Sequence, residues 1–195
     1  MTFRSRLTIF CLAAFAGLQG LQAADAEIFG GYSVTRMRPE TNGASTATMS
    51  GWNSTITAYP WSRLGFTADF AGFYGTATGD YTAADGSALH ANNSDIRQYS
   101  FMAGPQVRLF NTKHIETSVR AVFGGAYGYV PGTNGNLADQ TTFAALVGSN
   151  FDVKVSKRIS MRFSPGMYLT QYGSNQTQKN LRFSVGPVFH FGGEN

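Results

Sequence analysis

From residue 27 onward, apolar and polar residues alternate with a period of two, the spacing that puts successive side chains on opposite faces of a β-strand. The clearest run ends the chain. Leu181, Phe183, Val185, Pro187, Phe189 and Phe191 share one face, and Arg182, Ser184, Gly186, Val188 and His190 share the other. In 115–129, Ile115, Val119, Ala121, Phe123, Tyr127 and Tyr129 oppose Glu116, Ser118, Arg120, Gly124 and Gly128. In 142–155, Phe143, Ala145, Val147, Phe151, Val153 and Val155 oppose Ala144, Gly148, Asn150, Asp152 and Lys154. In 159–170, Ile159, Met161, Phe163, Pro165, Met167 and Leu169 oppose Ser160, Arg162, Ser164, Gly166 and Tyr168.

Segments 27–36, 49–59, 64–74 and 96–109 repeat the pattern less cleanly. In 64–74, Phe66, Ala68, Phe70 and Tyr74 oppose Thr67, Asp69 and Ala71; in 96–109, Tyr99, Phe101, Ala103, Pro105, Val107 and Leu109 oppose Ser100, Gly104, Gln106 and Arg108. The first segment has the weakest register, with Ile28, Tyr32 and Val34 set on the apolar face. The pattern predicts eight strands, most of about the 9–11 residues that a tilted strand needs to cross a bilayer.

The predicted connections alternate in length. Those near 60–63, 110–114 and 156–158 are short, those at 37–48, 75–95 and 130–141 are long and polar, and 173–177 is intermediate. That is an up-and-down meander with short turns at one end and loops at the other. Amphipathic strands in lipid must close, because an unpaired edge group costs several kcal/mol there. The expected fold is therefore all-β, an eight-stranded antiparallel up-and-down transmembrane β-barrel. Pro105 and Pro187 each remove a ladder donor, so local bulges are expected at both.

Composition supports the same class. Charged residues make up 13% of the 195, against about 25% in an ordinary soluble domain, while Gly numbers 23 and Phe and Tyr together 25. Polarity comes from uncharged side chains, as suits a lipid-facing exterior around a polar interior. Residues 1–26 read as a cleavable signal peptide: Arg4 and Arg6 precede an apolar run from Leu7 to Leu18, and Ala24-Asp25-Ala26 is a cleavage pattern. Processing is expected after Ala26, with Ala23 as the rival, leaving 27–195 as the barrel. Cys11, the only cysteine, lies in the apolar run, so the mature chain has neither disulfide nor thiol ligand. Its net charge of +3 (13 basic, 10 acidic) is scattered, which gives no nucleic-acid surface.

The stretches EIFGGYSV, WSRLGFTADFAGFYG, FDVKVSKRISMRF and NLRFSVGPVFHFG resemble the small outer-membrane barrels of the OmpA-transmembrane and OmpX kind, and more closely the bacterial outer membrane protein beta-barrel domain family. The resemblance spans the whole mature chain. It implies residence in a bacterial outer membrane with both termini periplasmic. The implied partners are outer-membrane lipid and lipopolysaccharide, with barrel-assembly machinery and periplasmic chaperones during biogenesis. Four residues follow Phe191, where such barrels often stop at an aromatic.

The inward faces carry Glu27, Asp69, Arg108, Glu116, Arg120, Asp152, Lys154, Arg162, Arg182 and His190. An eight-stranded barrel is just filled by side chains, and unpaired buried charge is costly, so a paired network plugging the lumen is expected. An ion path through the same residues is the alternative. Closure makes the first and last strands neighbours, so Glu27 with Arg182 is the pair this reading singles out. Outward aromatics, including Trp52, Trp61, Tyr74, Tyr99, Tyr127, Tyr129, Phe110, Phe189 and Phe191, suit interfacial girdles. None of His90, His114 and His190 lies beside a serine at a recognisable spacing, so no hydrolytic triad is expected. Asp80 and Asp85 lack the spacing of a calcium loop. No cofactor or metal is expected. The expected role is structural or surface-interacting, through loops 37–48, 75–95 and 130–141. A narrow channel is the alternative, and a lipid A-modifying enzyme the more remote one.

Overall fold

The computed structural model describes residues 25–37, 47–82, 88–131, 137–171 and 177–192, without side chains for 37, 47, 77–94, 129–131 and 137–140. Residues 1–24 of the expected signal peptide lie outside these residues, as does most of loop 37–48, whereas Asp25 and Ala26 begin β1. Eight strands follow in order: β1 (Asp25–Met37), β2 (Ala47–Tyr59), β3 (Leu64–Thr82), β4 (Ala88–Asn111), β5 (Ile115–Pro131), β6 (Leu137–Lys154), β7 (Ile159–Thr170) and β8 (Gln178–Phe191). Each pairs antiparallel with its sequence neighbours, and β1 pairs with β8 to close the barrel. Closure leaves no edge, so the backbone is satisfied without water.

The alternation read from the sequence becomes inside against outside. In β8, every second residue from Asn180 to Val188 is buried and those between are exposed. Ile56, Phe66, Phe101, Phe123, Phe163 and Phe183 each stand 45–55% exposed on the outer face. A water-soluble surface rarely carries so continuous an apolar face; around a barrel it is the face that meets hydrocarbon. Tyr32, Trp52, Tyr99 and Tyr127 form an outward band along one line of cross-strand partners through β1 to β5, with Tyr74 beside Tyr99, the hydroxyls 3.3 Å apart. The side chain of Tyr129 lies outside the described residues.

Two expectations are corrected. Residues 75–95 are largely strand: β3 and β4 continue as a hairpin with Thr76 opposite Asp95 and Thr82 opposite Ala88, shifted in register at Ala77/Gly79. Ladder hydrogen bonds hold such a ribbon together even where apolar alternation fades. Likewise, β5 and β6 extend to Pro131 and Leu137, into the expected loop 130–141. The prolines, moreover, do not cause bulges. At Pro105 the β4–β5 ladder skips from Ala103↔Phe123 to Gln106↔Arg120, and at Pro187 the β1–β8 ladder skips from Phe29↔Val188 to Tyr32↔Val185, both without change of register. The missing N–H removes a bond without inserting a residue, and the other ladder of each strand runs through unbroken. The bulge in this part of β4 falls instead between Arg108 and Phe110. It lets the consecutive Leu109 and Phe110 both face outward.

Glycines flank these gaps where backbones come close. A Cβ on Gly186 would overlap the Gly30 carbonyl oxygen and lie 2.5 Å from Gly31 Cα, whereas a Cβ on Gly30 would meet nothing within 4 Å. Gly186→Ala is therefore expected to destabilise the barrel by about 1–3 kcal/mol through overpacking, with Gly30→Ala within about 0.5 kcal/mol of the parent. Urea unfolding of the refolded barrel in vesicles checks this; equal effects at the two sites would contradict the β1–β8 approach.

Candidate functional site

The chemistry concentrates in the lumen. Of the ten inward candidates, Glu27, Asp69, Arg108, Glu116, Arg120, Asp152, Arg162 and Arg182 are buried, giving four carboxylates and four guanidiniums. They form two clusters.

The first cluster lies toward the short-turn end. Arg108 on β4 donates from Nε to Glu116 Oε1 at 2.5 Å, and from Nη2 to Glu27 Oε1 at 2.9 Å and Asp25 Oδ2 at 3.0 Å. Arg162 on β7 grips Asp152 with Nε and Nη2, at 2.7 and 2.6 Å, and reaches Glu27 Oε2 at 2.7 Å. Glu27 thus ties β1 to β4 and β7 across the lumen. Aromatic faces support both cations: Arg108 sits 3.9 Å from the Tyr59 ring centroid and Arg162 5.8 Å from that of Phe29. Glu27, Glu116 and Asp152 place carboxylate oxygens within 4.8 Å of one another, a spacing that suits a cation. Here Arg108 and Arg162 supply the positive charge.

The second cluster centres on Asp69 of β3. Arg182 of β8 donates to both its oxygens at 3.0 and 3.1 Å, Arg120 Nη1 of β5 lies at 3.1 Å, and Asn53 donates at 3.2 Å. A polar chain joins the clusters. Gln106 donates to the Tyr59 hydroxyl, Asn150 donates to Gln106 Oε1 at 3.2 Å, Ser164 donates to Asn150 Oδ1 at 2.7 Å, and Arg120 donates to Ser164 Oγ at 3.3 Å.

Toward the loop end charge gives way to apolar side chains interleaved with buried uncharged polar ones, among them Thr35, Gln98, Thr170 and Asn180. Met102, Val122, Ala126, Ala144, Leu146 and Tyr168 pack as one buried group, and Met49, Ala71 and Phe73 as another, with Ile96 against it. The Phe73 and Tyr168 rings stand 6.4 Å apart, Arg182 lies 5.5 Å from the Phe73 centroid, and Gln98 donates to the Tyr168 hydroxyl at 3.1 Å. On β5, the inward order from the turn is Glu116, Ser118, Arg120, then Val122 and Ala126. Sequence reasoning placed Ala71, Ala144 and Tyr168 inward but missed the other apolar side chains packed with them. Their signal was present: Met102, Val122 and Leu146 occupy inward positions of strands whose faces the alternation had already assigned.

Three site expectations are corrected. Glu27 does not pair with Arg182: the β1–β8 register sets Glu27 opposite His190 and Arg182 opposite Thr35. The two are eight residues apart along the ladder, about 26 Å at 3.3 Å per residue. Lys154 lies outside the buried network. It ends β6, and its ammonium donates to Asn111 Oδ1 and the Thr112 carbonyl of the neighbouring turn. Finally, the β7–β8 pairing brings a histidine beside a serine that sequence spacing did not reveal. His190 Nε2 lies 2.9 Å from Ser160 Oγ, and His190 Nδ1 lies 3.9 Å from Glu27 Oε1. The order of groups is that of a hydrolytic triad, but the contacts are not. The distance to Glu27 exceeds a hydrogen bond, both Glu27 oxygens are held by arginines, and Ser160 is 0% exposed. In this arrangement the pair latches β7 to β8.

No known family's sequence model matches the chain, and no curated protein matches it. Solved structures do. The chain is similar to Neisserial surface protein A, at 14% identity over 87% of this chain and 100% of that one, with a TM-score of 0.63. It is similar to Ail, the attachment invasion locus protein of Yersinia pestis, at 14% identity over 87% and 100%, with a TM-score of 0.57. Ail in complex with the heparin analogue sucrose octasulfate gives the same coverage and TM-score at 13% identity. At such identities the likeness is one of fold. Strand count, closure, outward apolar face and these structural relatives agree: the chain has the fold of the small eight-stranded transmembrane β-barrels of bacterial outer membranes.

Proposed function

We propose that the chain is a non-enzymatic integral protein of a bacterial outer membrane whose barrel is a plugged scaffold for surface interaction. Residues 1–26 serve as the cleaved signal peptide, or 1–23 if processing follows Ala23. Both termini face the periplasm, and the loops face outward. Lipopolysaccharide surrounds the loop end, and barrel-assembly machinery with periplasmic chaperones delivers the chain. The observation that carries the reading is the filling of the lumen, by a neutralised ionic network toward the turns and by packed apolar and uncharged polar side chains toward the loops. An ion crossing it would have to displace guanidiniums from carboxylates and then part a packed, uncharged layer of side chains. With transport blocked, function falls to the loops on their rigid scaffold. Ail, which shares the fold, has been solved with a heparin analogue. By that likeness a sulfated polyanion is one ligand class to try at this chain's loop end.

The mature barrel, refolded into a planar bilayer, is expected to give no discrete single-channel openings. Folding is verified in the same preparation by different gel mobility of boiled and unboiled samples. Reproducible openings altered by Glu27→Gln would overturn the plug in favour of the channel.

A further inference from the structure

Among the described residues, the three short turns of the barrel carry exposed charge of one sign. Arg63 in the β2–β3 turn, Lys113 in the β4–β5 turn, and Lys157 and Arg158 in the β6–β7 turn are all exposed. Every one of the three turns therefore contributes at least one cation. The carboxylates near the short-turn end do not offset it: Glu27, Glu116 and Asp152 are buried in the lumen, and Asp25 pairs with Arg108 if processing follows Ala23 and leaves with the signal peptide if it follows Ala26. Among the described residues, no exposed carboxylate offsets the ring.

The turns are also fixed in place by a repeated device. The Arg63 carbonyl accepts a hydrogen bond from Arg108 N at 2.8 Å, the His114 carbonyl from Lys154 N at 2.8 Å, and the Arg158 carbonyl from His190 N at 2.9 Å. Each turn is thus fastened to the strand beyond its own hairpin. Ser156 Oγ further accepts from Arg158 N at 3.3 Å and Ile159 N at 3.1 Å. The cations project from ordered backbone at a set height. Directly beside them, Trp61, Phe110, Ile115 and Val155 stand 51–69% exposed at the edge of the apolar face. Apolar side chains at the hydrocarbon boundary and cations one step beyond it match the layering of a phospholipid leaflet.

We propose that the short-turn end is a docking ring for anionic phospholipid headgroups, with Arg63, Lys113, Lys157 and Arg158 contacting the phosphates of the leaflet on that side. The inference rests on the barrel spanning a bilayer. Its occupant is lipid because the ring borders the lipid-facing surface on each turn.

The test uses the folded barrel in phosphatidylcholine vesicles containing spin-labelled phosphatidylglycerol or spin-labelled phosphatidylcholine, reading the motionally restricted fraction of each. The barrel is expected to favour phosphatidylglycerol by about three-fold or more, with the preference falling as salt is added. Arg63→Gln/Lys113→Gln/Lys157→Gln/Arg158→Gln should abolish most of it. Lys157→Gln/Arg158→Gln alone should remove part, and Arg36→Gln/Lys179→Gln at the loop end should leave it intact. Equal restriction of both lipids, or a preference that survives the turn variants, overturns the ring while leaving the barrel standing. Absence of any restricted lipid with no heat-dependent gel shift defeats the barrel reading itself. Turn-dependent binding of soluble polyglutamate in zwitterionic micelles, without lipid preference, would overturn the proposal in favour of an acidic polymer.

Discussion

Asp69→Asn is expected to destabilise the refolded barrel by about 3–5 kcal/mol, the range for breaking a buried ion pair from one side. Asp69 is 0% exposed, and two guanidiniums, Arg182 and Arg120, converge on it. Among the described residues Arg120 Nε and Arg182 Nε have no hydrogen-bond partner, and away from Asp69 Arg120 donates to the neutral Ser164 Oγ at 3.3 Å. Asparagine preserves shape and one accepting oxygen but removes the charge, leaving two buried cations facing each other. The companion variant Asp69→Leu/Arg120→Met/Arg182→Met removes all three charges and should recover much of the loss, because an apolar replacement of similar volume needs no desolvation. The urea midpoint in vesicles reads both. A loss below about 1 kcal/mol for Asp69→Asn would mean that the cluster carries little electrostatic weight.

The same cluster shows what the sequence could and could not disclose. Period-two alternation is a local property, and it placed Asp69, Arg120 and Arg182 on inward faces because each lies between residues that face lipid. Which inward residue meets which is not local. Asp69 and Arg182 are 113 positions apart and meet across the lumen, where the stagger of the closed sheet decides height. Neighbouring strands invited the pairing of Glu27 with Arg182, but the β1–β8 register separates them. The inward apolar residues were obscured differently. Residues such as Phe73 and Met102 sit next to the outward Tyr74 and Phe101, so their hydrophobicity blurs the alternation that marks them as inward. The Ser160–His190 contact exists because β7 and β8 pair from Ile159↔Phe189 onward, which a linear spacing does not display. The β3–β4 ribbon was equally hidden, since a hairpin beyond the membrane has no lipid face to impose a pattern.

Arg162→Met is expected to match Asp69→Asn in cost, about 3–5 kcal/mol, for the opposite electrostatic reason. Arg162 supplies three of the bonds that hold Asp152 and Glu27. Without it, Glu27, Glu116 and Asp152 keep oxygens within 4.8 Å of one another with Arg108 as the remaining buried cation of the cluster. Three converging carboxylates are the donor set of a calcium ion, whose oxygen ligands sit at about 2.3–2.6 Å and therefore lie up to about 5 Å apart. Calcium should then raise the urea midpoint of Arg162→Met while leaving the parent barrel nearly unchanged, because the parent's guanidinium occupies the place of the cation. At a calcium concentration one hundred times the dissociation constant, the recovery would be about 2.7 kcal/mol. Adding Glu116→Gln to Arg162→Met should weaken the rescue by removing one ligand charge. Equal calcium responses in the parent and in Arg162→Met would show that the three carboxylates do not converge as described, and that Glu27 is not the bridge between β4 and β7.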